Sequence, residues 1–239
     1  MAFQVVWAET LEELAENKVY KERLKTPDDY SKTREKARNT ESQSPLDIVK
    51  SLVEQGADIE SRDNEYGATI LTIASGLGDL ESVKYLISKG ANVNATSKRN
   101  GETALLLASG NGHLEMVKIL VENGAKINAK DDNGFTALMV ASIAGYTDIA
   151  KYLISKNADL NMKDKKYGAT ALMYASGKGN LEIVRALVEA RDTFLFFFTV
   201  RKVNINAKNK QGATALDMAG SDAIVALLRS NGAKFPLER

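Results

Sequence analysis

GETALLLASGNGHLEMVKILVENGAKINAK, residues 101–130, holds two short helical patterns separated by a Gly-Asn-Gly stop and followed by an exit loop. Thr103 is placed to cap a first helix carrying Ala104, Leu105, Leu107 and Ala108, which Gly110-Asn111-Gly112 ends. A second helix starts at Leu114, turns Met116, Val117, Leu120 and Val121 inward, and stops at Asn123-Gly124. Two helices and a loop cannot bury both of their sides, so the stretch needs neighbours of its own kind.

Those neighbours are in the chain. The threonine recurs as Thr69, Thr103, Thr136, Thr170 and Thr214, at intervals of 34, 33, 34 and 44 residues, a repeat array with one insertion of about eleven residues. The exit phrase recurs as GADIE, GANVN, GAKIN, NADLN and VNIN. Ala74, Ala108, Ala141, Ala175 and Ala219 fall at matching places, where adjacent first helices must approach closely. Stacking finishes the core, and the fold expected is an all-α solenoid with additive interfaces. Ser44-Pro45-Leu46-Asp47 opens the array, with Ser44 as N-cap and Asp47 three residues on. Ile48, Val49, Leu52 and Val53 form the stripe of that helix, which Gln55-Gly56 closes.

These units resemble ankyrin repeats. The turn glycine, threonine, leucine, alanine, glycine-histidine pair, Glu-Met-Val helix and Gly-Ala-Lys-Ile-Asn exit of residues 101–129 match the family's phrase most fully, and copies from Gly67, Gly134, Gly168 and Gly212 match it in part. The likeness spans residues 45–234. The family's Pro and His after the threonine are replaced, Pro by Ile70, Ala104, Ala137, Ala171 and Ala215, His by Thr72, Leu106, Met139, Met173 and Asp217. A capping hydrogen bond is therefore expected to be missing in every repeat, with apolar packing in its place. The organisation expected is an extension at 1–44, a half repeat at 45–60, repeats near 63–95, 97–129, 131–162 and 164–207, a shortened capping repeat at 209–234, and a tail at 235–239.

The remaining composition narrows function by exclusion. With 32 basic and 31 acidic side chains the net charge is +1, giving no global attraction for nucleic acid or anionic membranes. Absence of cysteine removes disulfides, thiol nucleophiles and thiolate metal sites, and the single His113 removes a histidine-rich metal site within one chain. No apolar run is long enough to span a bilayer. Residues 1–8, MAFQVVWA, end like a secretory signal but lack its basic start, so a cytoplasmic protein is preferred, with a trimmed export signal as the alternative. Residues 10–25 have the spacing of a short amphipathic helix, Thr26-Pro27 a second helix start, and the polar run after Asp29 that of a solvated helix and linker.

Candidate chemistry is sparse. The Gly-x-Gly triplets at Gly76, Gly110 and Gly177 follow helices rather than strands and lack the lysine and hydroxyl of a phosphate loop, so they read as helix ends. His113 is expected to cap its second helix. Acidic pairs such as Asp131-Asp132 lack calcium-loop spacing and read as turn residues. Neither cofactor nor metal nor catalytic residue is expected, and the chain is not expected to be an enzyme.

In the family, partner contacts come from the loop tips and the ends of the first helices. Carried onto this chain, the resemblance points to Arg62, Tyr66, Arg99, Asn100, Glu102, Asn111, Asp132, Phe135, Ile143, Lys165, Lys166, Tyr167, Lys178 and Lys210. The function expected is a non-catalytic scaffold gripping another protein by its concave face and tips. Five lysines at 163, 165, 166, 208 and 210 face only Asp164, which suits either an acidic patch on the partner or simple solubility of the tips. The anomaly is RDTFLFFFTVR, residues 191–201, with Phe194, Phe196, Phe197 and Phe198 crowded together. It reads as an extension of the second helix, as an exposed apolar anchor for a partner or membrane, or as a non-native stretch. The alternative function, a membrane-associated or exported interaction factor, rests on it.

Overall fold

The computed structural model describes residues 44–63, 66–190 and 203–234. The N-terminal extension and the Phe-rich insertion lie outside the described residues. Those described form ten α-helices and, among them, only two isolated antiparallel bridges, Arg62 with Thr69 and Thr96 with Thr103. They divide into two compact units between Ala104 and Leu105.

The first unit holds α1 (Pro45–Glu54), α2 (Ile70–Leu77) and α3 (Leu80–Ser88). Ser44 and Asp47 close a capping box on α1, Pro45 sits at its first turn, and Gly56 follows it at φ 86°. The second helix of the repeat, α3, packs on both α1 and α2. The second unit holds α4 (Ala104–Gly110, which begins at the boundary), α5 (Leu114–Glu122), α6 (Ala137–Ala144), α7 (Thr147–Ser155), α8 (Ala171–Gly177), α9 (Leu181–Val188) and α10 (Asp222–Ser230). There α6 packs on α8, and the second helices run α5 on α7, α7 on α9 and α9 on α10.

The repeat pattern explains the packing. Ala74, Ala108, Ala141 and Ala175 are wholly buried, as are Leu86, Leu120, Leu153, Leu187 and Leu228 on the second helices. Truncating one such leucine to alanine costs about 2–5 kcal/mol. Ala219 is only half-buried, because residues 215–218 make a single turn where earlier repeats have a helix. Thr69, Thr136 and Thr170 cap α2, α6 and α8 by accepting from the amides of Thr72, Met139 and Met173.

Two expectations about caps are corrected. The reciprocal bond is not missing in every repeat: Thr72 Oγ1 lies 2.9 Å from Thr69 Oγ1, and Asp217 Oδ2 accepts from both the hydroxyl and the amide of Thr214. A short polar side chain three residues after the threonine restores the bond, whereas Met139 and Met173 at that place are buried as packing. His113 occupies the N-cap position of α5 but makes no side-chain capping bond, whereas Asp79, at the same place before α3 with nearly the same backbone, accepts from the Ser82 amide through its short carboxylate.

Side chains of the exit loops join one repeat to the next. Glu60 Oε1 accepts from the amide of Asn92, Asn128 Oδ1 from Asp159, Asn161 Oδ1 from Asn204, and Asn206 Oδ1 from Lys234, at 2.6–2.9 Å. The third of these spans the insertion. The helix before that insertion, α9, stops one residue earlier than α3, α5 and α7. After each of those helices a left-handed residue turns the chain, Gly90, Gly124 or Asn157, at φ 87°, 88° and 71°. The corresponding residue here is Arg191, whose side chain disfavours that conformation. Loss of the turn glycine and gain of extra chain thus coincide in sequence.

Candidate partner-binding surface

Each loop tip is built around one polar side chain that ties up the turn's own amides. Asp63 Oδ1 accepts from Tyr66 and Gly67 and its Oδ2 from Ala68; Asp131 accepts from Phe135; Asn209 Oδ1 accepts from Gln211 and Ala213. Ser97 does the same for Glu102 in the first unit. Asp164 is used as fully as Asp63, accepting from the amides of Tyr167 and Ala169, both at 2.7 Å, and from the Tyr174 hydroxyl at 3.2 Å. These side chains are turn cores, their oxygens accepting from the turn's own amides. Burial, and then the neighbouring Asp164 carboxylate, push the Tyr174 phenol well above its usual range.

In the first unit the tips at 66–67 and 98–99 are joined by main-chain bonds, Lys98 N–H to Gly67 and Arg99 N–H to Tyr66. Tyr66 is 42% exposed and carries the Arg99 guanidinium 5.2 Å from its ring centroid. Asn100 and Glu102 are half-buried and bond to each other at 3.3 Å. Arg62 is turned inward, its Nη1 donating to the carbonyls of Gly67 and Thr96 at 2.6 Å, so its guanidinium holds two repeats together.

In the second unit Lys165 N–H bonds to Asn133 O and Lys210 N–H to Tyr167 O, which brings the tips of three repeats into line. Tyr167 is 42% exposed with the Lys166 ammonium 4.8 Å from its ring centroid, and a hydrogen bond to Tyr167 raises the lysine's affinity for its proton. Asp132, Lys165, Lys210 and Asn111 are exposed, Lys178 is exposed at the C-cap of α8, and Ile143 is half-buried on α6. Phe135 is not the counterpart of Tyr66 and Tyr167. It stands one residue before its threonine rather than three, and packs half-buried on Tyr174 with centroids 5.6 Å apart. Phe194, Phe196, Phe197 and Phe198 lie outside the described residues.

Some features of this surface were not anticipated. Lys130 Nζ donates to Lys163 O at 3.1 Å and Lys163 Nζ to Lys208 O at 2.7 Å, the same inter-repeat reach that Arg62 makes to Thr96. The signal was available as a cation at equal places of successive repeats. Tyr146, 38% exposed, stands where the second repeat has His113, and its ring lies where a Cβ on Gly112 would be, 2.6 Å from Cε1. That substitution was legible; its packing was not.

Sequence models of known families decide the affiliation: the model for ankyrin repeats matches residues 39–131, 91–164, 126–195 and 158–238. The chain belongs to the ankyrin-repeat family. No curated protein matches it as a relative. Ankyrin repeats are in general protein–protein interaction modules and typically non-catalytic, and the tips described above are the part of this ankyrin array that varies from copy to copy. Among the described residues no group of His, Cys, Asp and Glu could hold a metal ion, and no helix is long and apolar enough to cross a membrane.

Proposed function

We propose that the chain is a non-catalytic scaffold that grips a protein partner through its loop tips and the adjoining ends of the first helices. The observation that carries this reading is the internal satisfaction of the tips: Asp63, Asp131, Asp164 and Asn209 hold the turn amides, so the outward side chains ride on fixed backbone. Preorganised backbone lowers the ordering cost of binding. Tyr66 and Tyr167, each exposed beneath a stacked cation, are the anchors, since aromatic and arginine side chains dominate interface energetics. Asn111, Asp132, Ile143, Lys178 and the tip lysines are the further contacts and set specificity.

The test is affinity capture with the intact chain and with the Tyr66→Ala, Tyr167→Ala double variant, followed by mass spectrometry and a binding titration of the captured partner. Loss of about tenfold or more in affinity with an unchanged melting temperature is the expected result. Unchanged affinity would remove the tips from the interface.

A further inference from the structure

The second unit presents lysine ammoniums in a regular row. Lys130, Lys163, Lys165, Lys166, Lys208 and Lys210 are all exposed, and none is in an ion pair among the described residues. The carboxylates nearest in sequence do not neutralise them by contact: Asp131, half-buried, and Asp164, buried, accept from turn amides, and Asp132 is the one fully exposed acid of these tips. Three of the ammoniums are held at one hydrogen bond each, Lys130 to Lys163 O, Lys163 to Lys208 O, and Lys210 to Lys165 O. An ammonium with one donor spent keeps two N–H groups and its full charge.

We propose that this row binds an extended acidic segment of the protein partner, laid across successive repeats with one carboxylate on each rung. The inference rests on the reading of the tips as partner contacts and adds the partner's chemistry and register. Packed helices lie about 8–10 Å apart, so rungs one repeat apart share that spacing. An extended chain rises about 3.3 Å per residue, so about three residues separate carboxylates that meet consecutive rungs. The recognised pattern is an acid at every third position. A helical segment, rising about 1.5 Å per residue, does not match with that pattern. Because Lys130 and Lys163 are already held by carbonyls, little side-chain freedom is lost on pairing.

The test uses the full isotopically labelled chain and two twelve-residue peptides of equal composition, four Glu-Ser-Thr triplets in succession and a peptide with its four glutamates contiguous. Amide shifts at 163–166 and 208–210 at low salt report binding. The triplet peptide is expected to bind at least about threefold more tightly than the contiguous one, and to weaken as salt shortens the Debye length. Lys165→Gln and Lys166→Gln, which leave the carbonyl rungs in place, should each weaken it about two- to fivefold, and Lys163→Arg should preserve it. Equal binding of both peptides, or equal binding of a twelve-residue oligothymidylate, would overturn the proposal, because the row would then read charge alone. If these lysine variants leave the captured partner bound while the double tyrosine variant releases it, the acidic-segment inference fails and the tip reading stands; if neither releases it, the tip reading itself fails.

Discussion

Lys163 donates from its ammonium to the main-chain carbonyl of Lys208 at 2.7 Å, 45 residues along the chain and on the far side of the insertion. Beside it the Asn204 amide donates to Asn161 Oδ1 at 2.6 Å. The repeat after the insertion is therefore docked by the same kinds of bond as those without one. Removing residues 192–202 and replacing Arg191→Gly restores the ordinary spacing and the left-handed turn. Loop closure changes slowly with length, so the melting temperature should stay within about 5 °C of the parent or rise. A fall of about 10 °C or more in a circular dichroism melt would show that the removed residues contribute to the core.

Asp164 and Asp132 each immediately precede a partner of the Lys165 N–H to Asn133 O bond yet differ in their surroundings, one buried under three donors and the other exposed. Asp164→Ala leaves two turn amides and a phenol without their acceptor and should cost about 2–4 kcal/mol of unfolding free energy. Asp132→Ala should stay within about 0.5 kcal/mol. Urea titrations of the two variants make the comparison.

The raised phenol of Tyr174 implies a sign for alkaline stability. Its unfolded value is near the ordinary tyrosine value of about 10, and its folded value is higher. Above pH of about 10 the unfolded chain releases a proton that the folded chain keeps, so stability is fully present below that pH and falls as pH rises. Tyr174→Phe removes this contribution. The variant's urea midpoint should drop less between pH 8.5 and 11 than that of the parent, and parallel curves would contradict the assignment.

Asn157 is the one non-glycine residue at positive φ among those described, at 71° after α7. Asn157→Gly should be neutral or slightly stabilising, whereas Asn157→Ala should lose about 1–2 kcal/mol because its Cβ opposes the left-handed turn. Thermal melts of the pair distinguish a conformational role from a side-chain one, which would make both variants lose equally.

Much of the fold was legible because it is written several times over. Periodic threonines, the alanines beside them and the glycines after each helix fix helix, cap and stack without reference to distant residues. The capping pattern was misread where it depends on one side chain answering another, as Thr72 answers Thr69 and Asp217 answers Thr214. The surface was less legible for a physical reason. Whether a tip residue faces a partner or its own neighbour depends on rotamer and contact: among the candidate contacts, Arg62 bonds two carbonyls and Phe135 packs on Tyr174. Tyr66 and Tyr167 are exposed, as tip residues should be, but the cation stacked on each was not to be inferred from periodicity.

The exit-loop asparagines carry one more consequence. Asn161 with Asn204, and Lys163 with Lys208, join the repeats on either side of residues 191–202. A break in the chain at this point is therefore expected to be tolerated. Two separately expressed fragments, 1–190 and 203–239, should find each other in solution and restore the helical signal of the parent, so the last repeat is a subunit that happens to be tethered.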